Sequence, residues 1–399
     1  MAAFFCELRC SANDGEYRTV IMKFLIADNI PYAPQVFSAH GEVVTFSGRE
    51  PAADELQDAE VLLVRSITRV DDNLLDKAAA LKFVGTATIG TEHIDTDALQ
   101  ARDIAFASSP GANAESVAEY VLTALLALAQ KYALALTGLT AAIVGAGNTG
   151  SATGRRLQAL GLNVVYYDPP RARREASFDS ASFEQVLQAN VISLHVPMEK
   201  GTDDPTYHMF GAAELARLSA PQVLINASRG AVIDNTALRQ QLQGPAPGRV
   251  RLVLDVWEGE PSIDSGLLAL VDIATPHIAG HSLNGKVNGT RMLYDACAEQ
   301  FGWSEHQPEW TALMPKPPMV NWHCQQMPEQ TTLTQWLLSN YPIWQDDSLM
   351  RRYGHNAQGF DQLRRDYAVR YELKSHRLLC GDGVDDATKQ RLQELGFLF

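Results

Sequence analysis

The 399 residues contain no apolar run approaching the ~20 residues of a membrane-spanning helix, so no such helix is expected. At the amino terminus "MAAFFCELRC" is interrupted by Glu7 and Arg9 and is too short for a signal-peptide core. Positive charge is scarce as well. Thirty-three Lys and Arg face 47 Asp and Glu, a formal net charge of −14, which argues against nucleic acid or an anionic membrane as partner. An anionic ligand must therefore meet a local cluster of Arg, Lys or His. Cysteine is sparse: Cys6, Cys10, Cys297, Cys324 and Cys380 form neither a metal-binding spacing nor a C-x-x-C pair, which suits a reducing cytoplasm and a chain without a bound metal.

The length exceeds what one hydrophobic core usually serves, so two or three domains are expected. Residues 1–21 precede the strand-like "MKFLIAD" and read as an N-terminal extension with no part in function. From Met22 to Ala112, short apolar runs such as "KFLIAD", "AEVLLVRS" and "LKFVGTA" alternate with helical stretches, the pattern of a parallel sheet covered on both faces. Asn113 then opens "AESVAEYVLTALLALAQKY", with Val117, Val121, Leu125 and Leu128 at helical spacing. A second series, "TAAIVGAG", "NVVYYD", "VISLHVP", "QVLINAS", "VRLVLDV" and "DIATPHI", predicts a second doubly wound sheet up to Ser282. Residues 283–307 read as a helical return to the first domain. After the prolines of "MPKPPMVNW", residues 308–399 read as a small α+β domain.

"VGAGNTG" places Gly145, Gly147 and Gly150 at a strand-to-helix junction, followed into the helix by Asn148 and Thr149. The first glycine permits the turn, the second lets a pyrophosphate approach the backbone, and the third lets helix and strand pack closely. Asp168 ends "NVVYYD" 23 residues after Gly145, where a carboxylate accepts ribose hydroxyls and repels a 2′-phosphate. NAD is therefore the expected cofactor, with Arg171, Arg173 and Arg174 placed to soften that preference.

Three further polar residues close successive strands: Arg229 in "NASRGAVIDN", Glu258 in "LDVWEGEP" and His277 in "TPHIAGHS". Strand carboxyl ends line the crevice of an open α/β sheet, so these three can converge there. An arginine can grip a carboxylate bidentately, a histidine can remove a hydroxyl proton, and a glutamate can hold that histidine's far nitrogen. Each also has a structural alternative as an ion pair, a turn residue or a satisfied histidine.

Together with the glycine turn, these motifs resemble the D-2-hydroxyacid dehydrogenase family over about residues 22–301. That resemblance implies that Arg229 binds substrate, that Glu258 orients His277, and that His277 is acid and base. It also puts Asp255 near the nicotinamide. "VRSITRV", "FVGTATIGTEHID", "SPGANAESVAEYV", "DPPRA" and "FDQLRRDYAVRYE" are similar to one branch of the family, which oxidises 4-phospho-D-erythronate in pyridoxal 5′-phosphate synthesis. It implies substrate contacts at Ser66 and Thr88, and a cofactor bordered by Gly280 and the backbone near Val196. His281 stands where that branch usually carries a substrate-contacting tyrosine. Residues 22–112 with 283–307 would be a substrate domain, 113–282 an NAD domain, and 308–399 a dimerisation domain of a cytoplasmic homodimer. Three alternatives remain: another 2-hydroxy acid dehydrogenase of phosphoglycerate or glyoxylate type, a non-catalytic NAD-sensing regulator, and a carboxy-terminal region that binds a small regulatory molecule.

Overall fold

The computed structural model describes residues 22–244, 249–303, 307–317, 320 and 322–399; the extension expected over residues 1–21 lies outside them. The described chain divides into two compact units. One takes the residues up to Ala112 together with Lys286–Pro315, and the other takes Asn113–Gly285 together with Lys316–Phe399.

The first unit holds five parallel strands, β1 (Met22–Ala27), β2 (Gly41–Phe46), β3 (Val61–Val64), β4 (Phe83–Thr86) and β5 (Ala105–Ala107). They lie in the order β2-β1-β3-β4-β5, a doubly wound arrangement. The central runs "VLLV" and "FVGT" are buried throughout, as strands covered on both faces must be. Val64 pairs with Thr86, so Ser66 and Thr88 each emerge two residues beyond one register position at the carboxyl edge of this sheet. Leu293, Tyr294 and Cys297, from the helix Leu283–Phe301, complete the unit's core.

The second unit carries β6 (Thr140–Val144), β7 (Asn163–Tyr167), β8 (Val191–Leu194), β9 (Val223–Asn226), β10 (Arg251–Leu254) and β11 (Ile273–Ala274). All are parallel, in the order β11-β10-β9-β8-β6-β7. From β6 the chain steps outward to β7, then returns to the other side of β6 as β8. The carboxyl ends of β6 and β8 thus flank the topological switch point, where such sheets bind ligands.

The tail adds a two-stranded parallel sheet, β12 (Trp322–Cys324) with β13 (Leu378–Cys380), and four helices, Gln330–Asn340, Ile343–Tyr353, Ala357–Arg365 and Asp386–Glu394. Its secondary structure is the expected α+β, but its core is shared. Trp322, Leu333, Leu337, Tyr341, Leu373 and Leu392 belong to the same apolar cluster as Tyr120, Val121 and Leu125 of the helix Ala114–Tyr132. That helix is buried along most of its length because its second face lies under the tail. Beside this cluster a cavity of about 910 Å³ opens, with Pro276 and Ile278 on one wall and Tyr341, Asp346, Tyr367 and Arg370 among the tail residues opposite.

Candidate active site

The glycine turn follows β6. Gly145 adopts φ +92°, and a Cβ there would lie 2.8 Å from the His195 carbonyl and 2.9 Å from the Val196 nitrogen, so the backbone at Val196 abuts the turn. A Cβ on Gly150 would fall 1.8 Å from the Gly145 oxygen, whereas one on Gly147 meets nothing within 4 Å. The first and third glycines are therefore demanded by packing, and the second leaves open space at the amino terminus of the helix Asn148–Leu160. Asn148 and Thr149 open that helix, whose first amide groups lack intrahelical acceptors. This room beside unpaired donors fits a dinucleotide pyrophosphate.

Asp168 is fixed from two sides: Oδ2 accepts the Ala146 amide at 2.8 Å and Oδ1 the Arg171 amide at 2.9 Å. Each carboxylate oxygen keeps a further lone pair for a ribose hydroxyl. Arg171 donates to the Ala146 carbonyl and to Glu175, and Arg173 pairs with Asp204.

Arg229 follows β9 on a turn built by Asn226, which is fully buried. The Asn226 amide nitrogen donates to the Arg229 carbonyl at 2.9 Å, while its oxygen accepts from the Ser228 amide at 3.1 Å and hydroxyl at 2.9 Å. The turn lies hard against the strand-end loop after β10: a Cβ on Gly230 would be 1.9 Å from the Trp257 carbonyl carbon.

That loop assigns the glutamates differently from the sequence reading. Glu258, expected to orient His277, instead accepts from His208 Nε2 at 2.8 Å and from the Asn235 amide at 3.3 Å. The partner of His277 Nδ1 is Glu260, at 2.8 Å. Gly259, at φ +79°, stands between the two carboxylates, whose partners lie on different segments. Asp234 Oδ2 lies 3.8 Å from His208 Nδ1, so Glu258 belongs to a half-buried His–carboxylate group apart from His277. Burial pushes the Glu260 carboxyl up, but the charge and hydrogen bond of His277, with the Trp257 amide at 2.7 Å, outweigh it and hold the group below the usual carboxylate value.

Asp255 shapes the histidine's loop. It is 1% exposed, and its carboxylate accepts from the Thr275 hydroxyl and Ile278 amide at 2.7 Å each and from the Ala279 amide at 3.0 Å. Burial raises its pKa in spite of these partners and the nearby His277. His277 itself sits at φ +58°, a left-handed conformation that a non-glycine residue keeps only when its surroundings hold it there. Gly280 packs so closely on Asn113 that a Cβ would be 2.1 Å from Nδ2. His281 stacks edge-on against Tyr367 of the tail, with ring centroids 5.9 Å apart. His195, another histidine at a strand end, bonds Ser193 at 2.9 Å, and burial pushes its imidazole down to about 3, so it stays neutral near pH 7.

In the first unit Ser66 is exposed, and the Thr88 hydroxyl bonds Thr86 at 2.7 Å and donates to the Gly90 carbonyl at 2.9 Å. Lys286 adds a cation: burial, then the charge of Arg65, pushes its amine down to about 8.

Residues 117–279 match the family described as D-isomer specific 2-hydroxyacid dehydrogenase, NAD binding domain. Erythronate-4-phosphate dehydrogenase of Idiomarina loihiensis is 47% identical over 87% of this chain and 90% of its own. The enzyme of that name from Aeromonas hydrophila is 44% identical over 90% and 95%. The chain belongs to the erythronate-4-phosphate dehydrogenase family. Its fold is also that of D-lactate dehydrogenase from Aquifex aeolicus complexed with NAD and lactic acid, with a TM-score of 0.57, 25% identity, and 70% of this chain and 96% of that chain covered. Residues 313–396 match a family described as Domain of unknown function (DUF3410).

Sequence reasoning missed Glu260, Asn226 and Lys286. For Glu260 the signal was present but ambiguous, since "WEGEP" offers two glutamates two residues apart. Asn226 acts on its own turn, through Ser228 and Arg229, whereas Lys286 takes its importance from Arg65, distant in sequence.

Proposed function

We propose that the chain oxidises the 2-hydroxyl of 4-phospho-D-erythronate, giving 2-oxo-3-hydroxy-4-phosphobutanoate, as a cytoplasmic NAD-dependent homodimer in pyridoxal 5′-phosphate synthesis. The observation that carries this reading is His277 held at Nδ1 by Glu260 on a loop organised by Asp255, in a chain closely related to enzymes of that activity. Bound NAD supplies the hydride acceptor. With Nδ1–H donated to Glu260, the lone pair of His277 is on Nε2, which takes the proton of the substrate hydroxyl. The Glu260 carboxylate then faces an imidazolium and stabilises it. Arg229 grips the substrate carboxylate with its guanidinium fork. Asp168 takes the ribose hydroxyls, and Gly145, Gly147, Gly150 and the backbone at Val196 and Gly280 border the cofactor. In the first unit Ser66 and Thr88, with the Arg65 and Lys286 cations, recognise the phosphorylated end of the substrate, which explains how a chain of net charge −14 accepts a dianion.

A panel of 2-hydroxy acids with NAD, followed by NADH absorbance, tests the assignment. 4-Phospho-D-erythronate should be oxidised far faster than D-erythronate, because without the phosphate the Arg65 and Lys286 cations and the Ser66 and Thr88 hydroxyls lose the anion that would position the substrate. Equal rates for the two would remove the substrate assignment and leave the dehydrogenase. No NADH from any member would remove both.

A further inference from the structure

The tail holds the loop that carries His277. Arg370 is 6% exposed, and its Nη2 donates to the Ala279 carbonyl at 2.8 Å and to the Ser116 hydroxyl at 2.6 Å. That hydroxyl in turn donates to the same Ala279 carbonyl at 2.9 Å. The Leu283 amide donates to the Arg370 carbonyl at 2.8 Å, and the Ser282 hydroxyl donates to Glu372 at 2.7 Å. Asn284 Oδ1 closes the set, accepting from the Glu372 amide and the Ser375 hydroxyl at 3.1 Å each. Behind these contacts the fully buried Glu119 accepts from the Leu373 amide at 2.8 Å, and one of its oxygens lies 3.6 Å from Arg370 Nη1. Burial raises the Glu119 pKa against the pull of Arg370.

We propose that the strap Arg370–Ser375 is a positioning device for catalysis, setting through Ala279 and Ser282 where His277 presents its ring. This deepens the dehydrogenase reading and rests on it. Three observations separate it from simple attachment of the tail. First, attachment is already provided by the apolar cluster of Leu333, Leu337, Tyr341 and Leu392 against the helix Ala114–Tyr132. Second, a buried group of one arginine and two glutamates is a poor adhesive, since desolvation consumes most of what charge pairing gains, but it fixes register where apolar packing does not. Third, these hydrogen bonds reach the Ala279 carbonyl, the Ser282 hydroxyl and the Leu283 amide, two to six residues after His277, which sits in a left-handed conformation. The amides of Ile278 and Ala279 are held by Asp255 from the sheet side, and the Ala279 carbonyl is held by Arg370 from the tail side. Next to that clamp Pro276 and Ile278 line the 910 Å³ cavity, on whose other side Tyr341, Tyr367 and Arg370 of the tail lie.

The charged groups near His277 are Glu260, at its Nδ1, and Asp255 under its backbone, with Arg364 acting on Glu260 from the tail. A loop that loses its tail anchor loosens the His277–Glu260 hydrogen bond, so the imidazolium is less favoured and the acidic limb of the oxidation rate moves to lower pH. Arg370→Met, Arg370→Lys and Ser116→Ala should be measured in the full-length chain for kcat, KM, pH profile, NAD affinity and thermal melting. Arg391→Met is the control, because Arg391 ties a tail helix to the Ala159 carbonyl, away from the loop.

In Arg370→Met kcat should fall on the order of 100-fold. The acidic limb should move to lower pH while NAD affinity is kept. Ser116→Ala should lose about five- to tenfold. Arg370→Lys, which can still donate to the Ala279 carbonyl, should recover part of the rate. Arg391→Met should lower the melting temperature without changing kcat or the limb. Folded Arg370→Met with normal kcat and an unmoved limb overturns the proposal, as does an equal kcat loss in Arg391→Met. Should Arg370→Met fail to fold, wild-type kcat and limb in both Ser116→Ala and Arg370→Lys overturn it. An inactive wild-type chain defeats the dehydrogenase reading instead, so the two failures are distinguishable.

Discussion

Two glutamates two positions apart divide two tasks. Glu260 meets His277 Nδ1 at 2.8 Å, whereas Glu258 meets His208 Nε2 at the same distance. The types of residue needed for acid–base chemistry were legible in the sequence, and so was the segment that carries them. Which carboxylate serves was not, because that depends on how the chain turns at Gly259. Similarly, the position of Asp255 could be read, but not its use as an acceptor for the Ile278 and Ala279 amides. The division has kinetic consequences. Glu260→Gln should lower kcat roughly 10- to 100-fold and move the acidic limb of the oxidation profile to lower pH, because the negative charge that favours the imidazolium is gone. Glu258→Gln alters a half-exposed hydrogen bond to His208, away from His277, and should keep kcat within about fivefold, with the limb in place. His277→Ala should nearly abolish turnover at every pH. Arg229→Ala should lose on the order of 100-fold at every pH, since substrate positioning involves no proton near neutrality. Profiles recorded with saturating NAD check all four; a limb that moves in Glu258→Gln and not in Glu260→Gln would reverse the assignment.

Among elements, the strand–turn–helix unit was the most legible because several local requirements coincide there. An apolar strand, three glycines at fixed spacing and a carboxylate 23 residues after the first all specify one geometry, and the open side of Gly147 and the closed sides of Gly145 and Gly150 agree with it. Both sheets were legible for the same reason, as runs such as "VLLV" and "VLIN" are apolar at all or all but one position and buried throughout. The arginines after Pro170 were ambiguous in sequence. Within the element, Arg171 is engaged by the Ala146 carbonyl and Glu175, and Arg173 by Asp204, so neither is poised for a 2′-phosphate. NAD should therefore bind more tightly than NADP, and Asp168→Ala should narrow the gap by weakening NAD and removing the repulsion of the phosphate. Titrating both cofactors into the wild-type and variant proteins checks this. Equal affinities in the wild type would mean that the arginines rearrange to accept the extra charge.

At the scale of the whole molecule the sequence was least informative, because an apolar residue does not announce what will cover it. In the sequence alone, Trp336, Leu337, Leu338, Leu363 and Leu395 are numerous for a tail of about 90 residues and point to a second copy of the chain as their cover. Leu337 and Leu395 are instead 1% exposed, and Trp336 and Leu338 pack beside them, in a core shared with the helix Ala114–Tyr132; Leu363 packs on another cluster of the same unit. The case for the proposed homodimer now rests on different residues. Of the eight large apolar side chains exposed among the described residues, five, Leu349, Tyr353, Val369, Leu379 and Leu398, lie in the tail. Leu349, Tyr353 and Val369 also border the 910 Å³ cavity, so they form a patch around a concave surface, which suits a partner better than water. A chain cut near Gln307 is a poor test, because it would strip Leu333, Leu373 and Leu392 from the common core and lose stability for that reason alone. Charge placed on the exposed patch is more discriminating, since Val369, at 67% exposure, contributes little to the folded monomer. Val369→Asp combined with Leu349→Asp should weaken self-association roughly 10- to 100-fold while leaving the melting temperature of the dilute chain nearly unchanged. Sedimentation velocity across a concentration series measures it. A dimer that resists both substitutions places the interface elsewhere on the molecule, and a wild-type chain that sediments as a monomer at every concentration removes the homodimer.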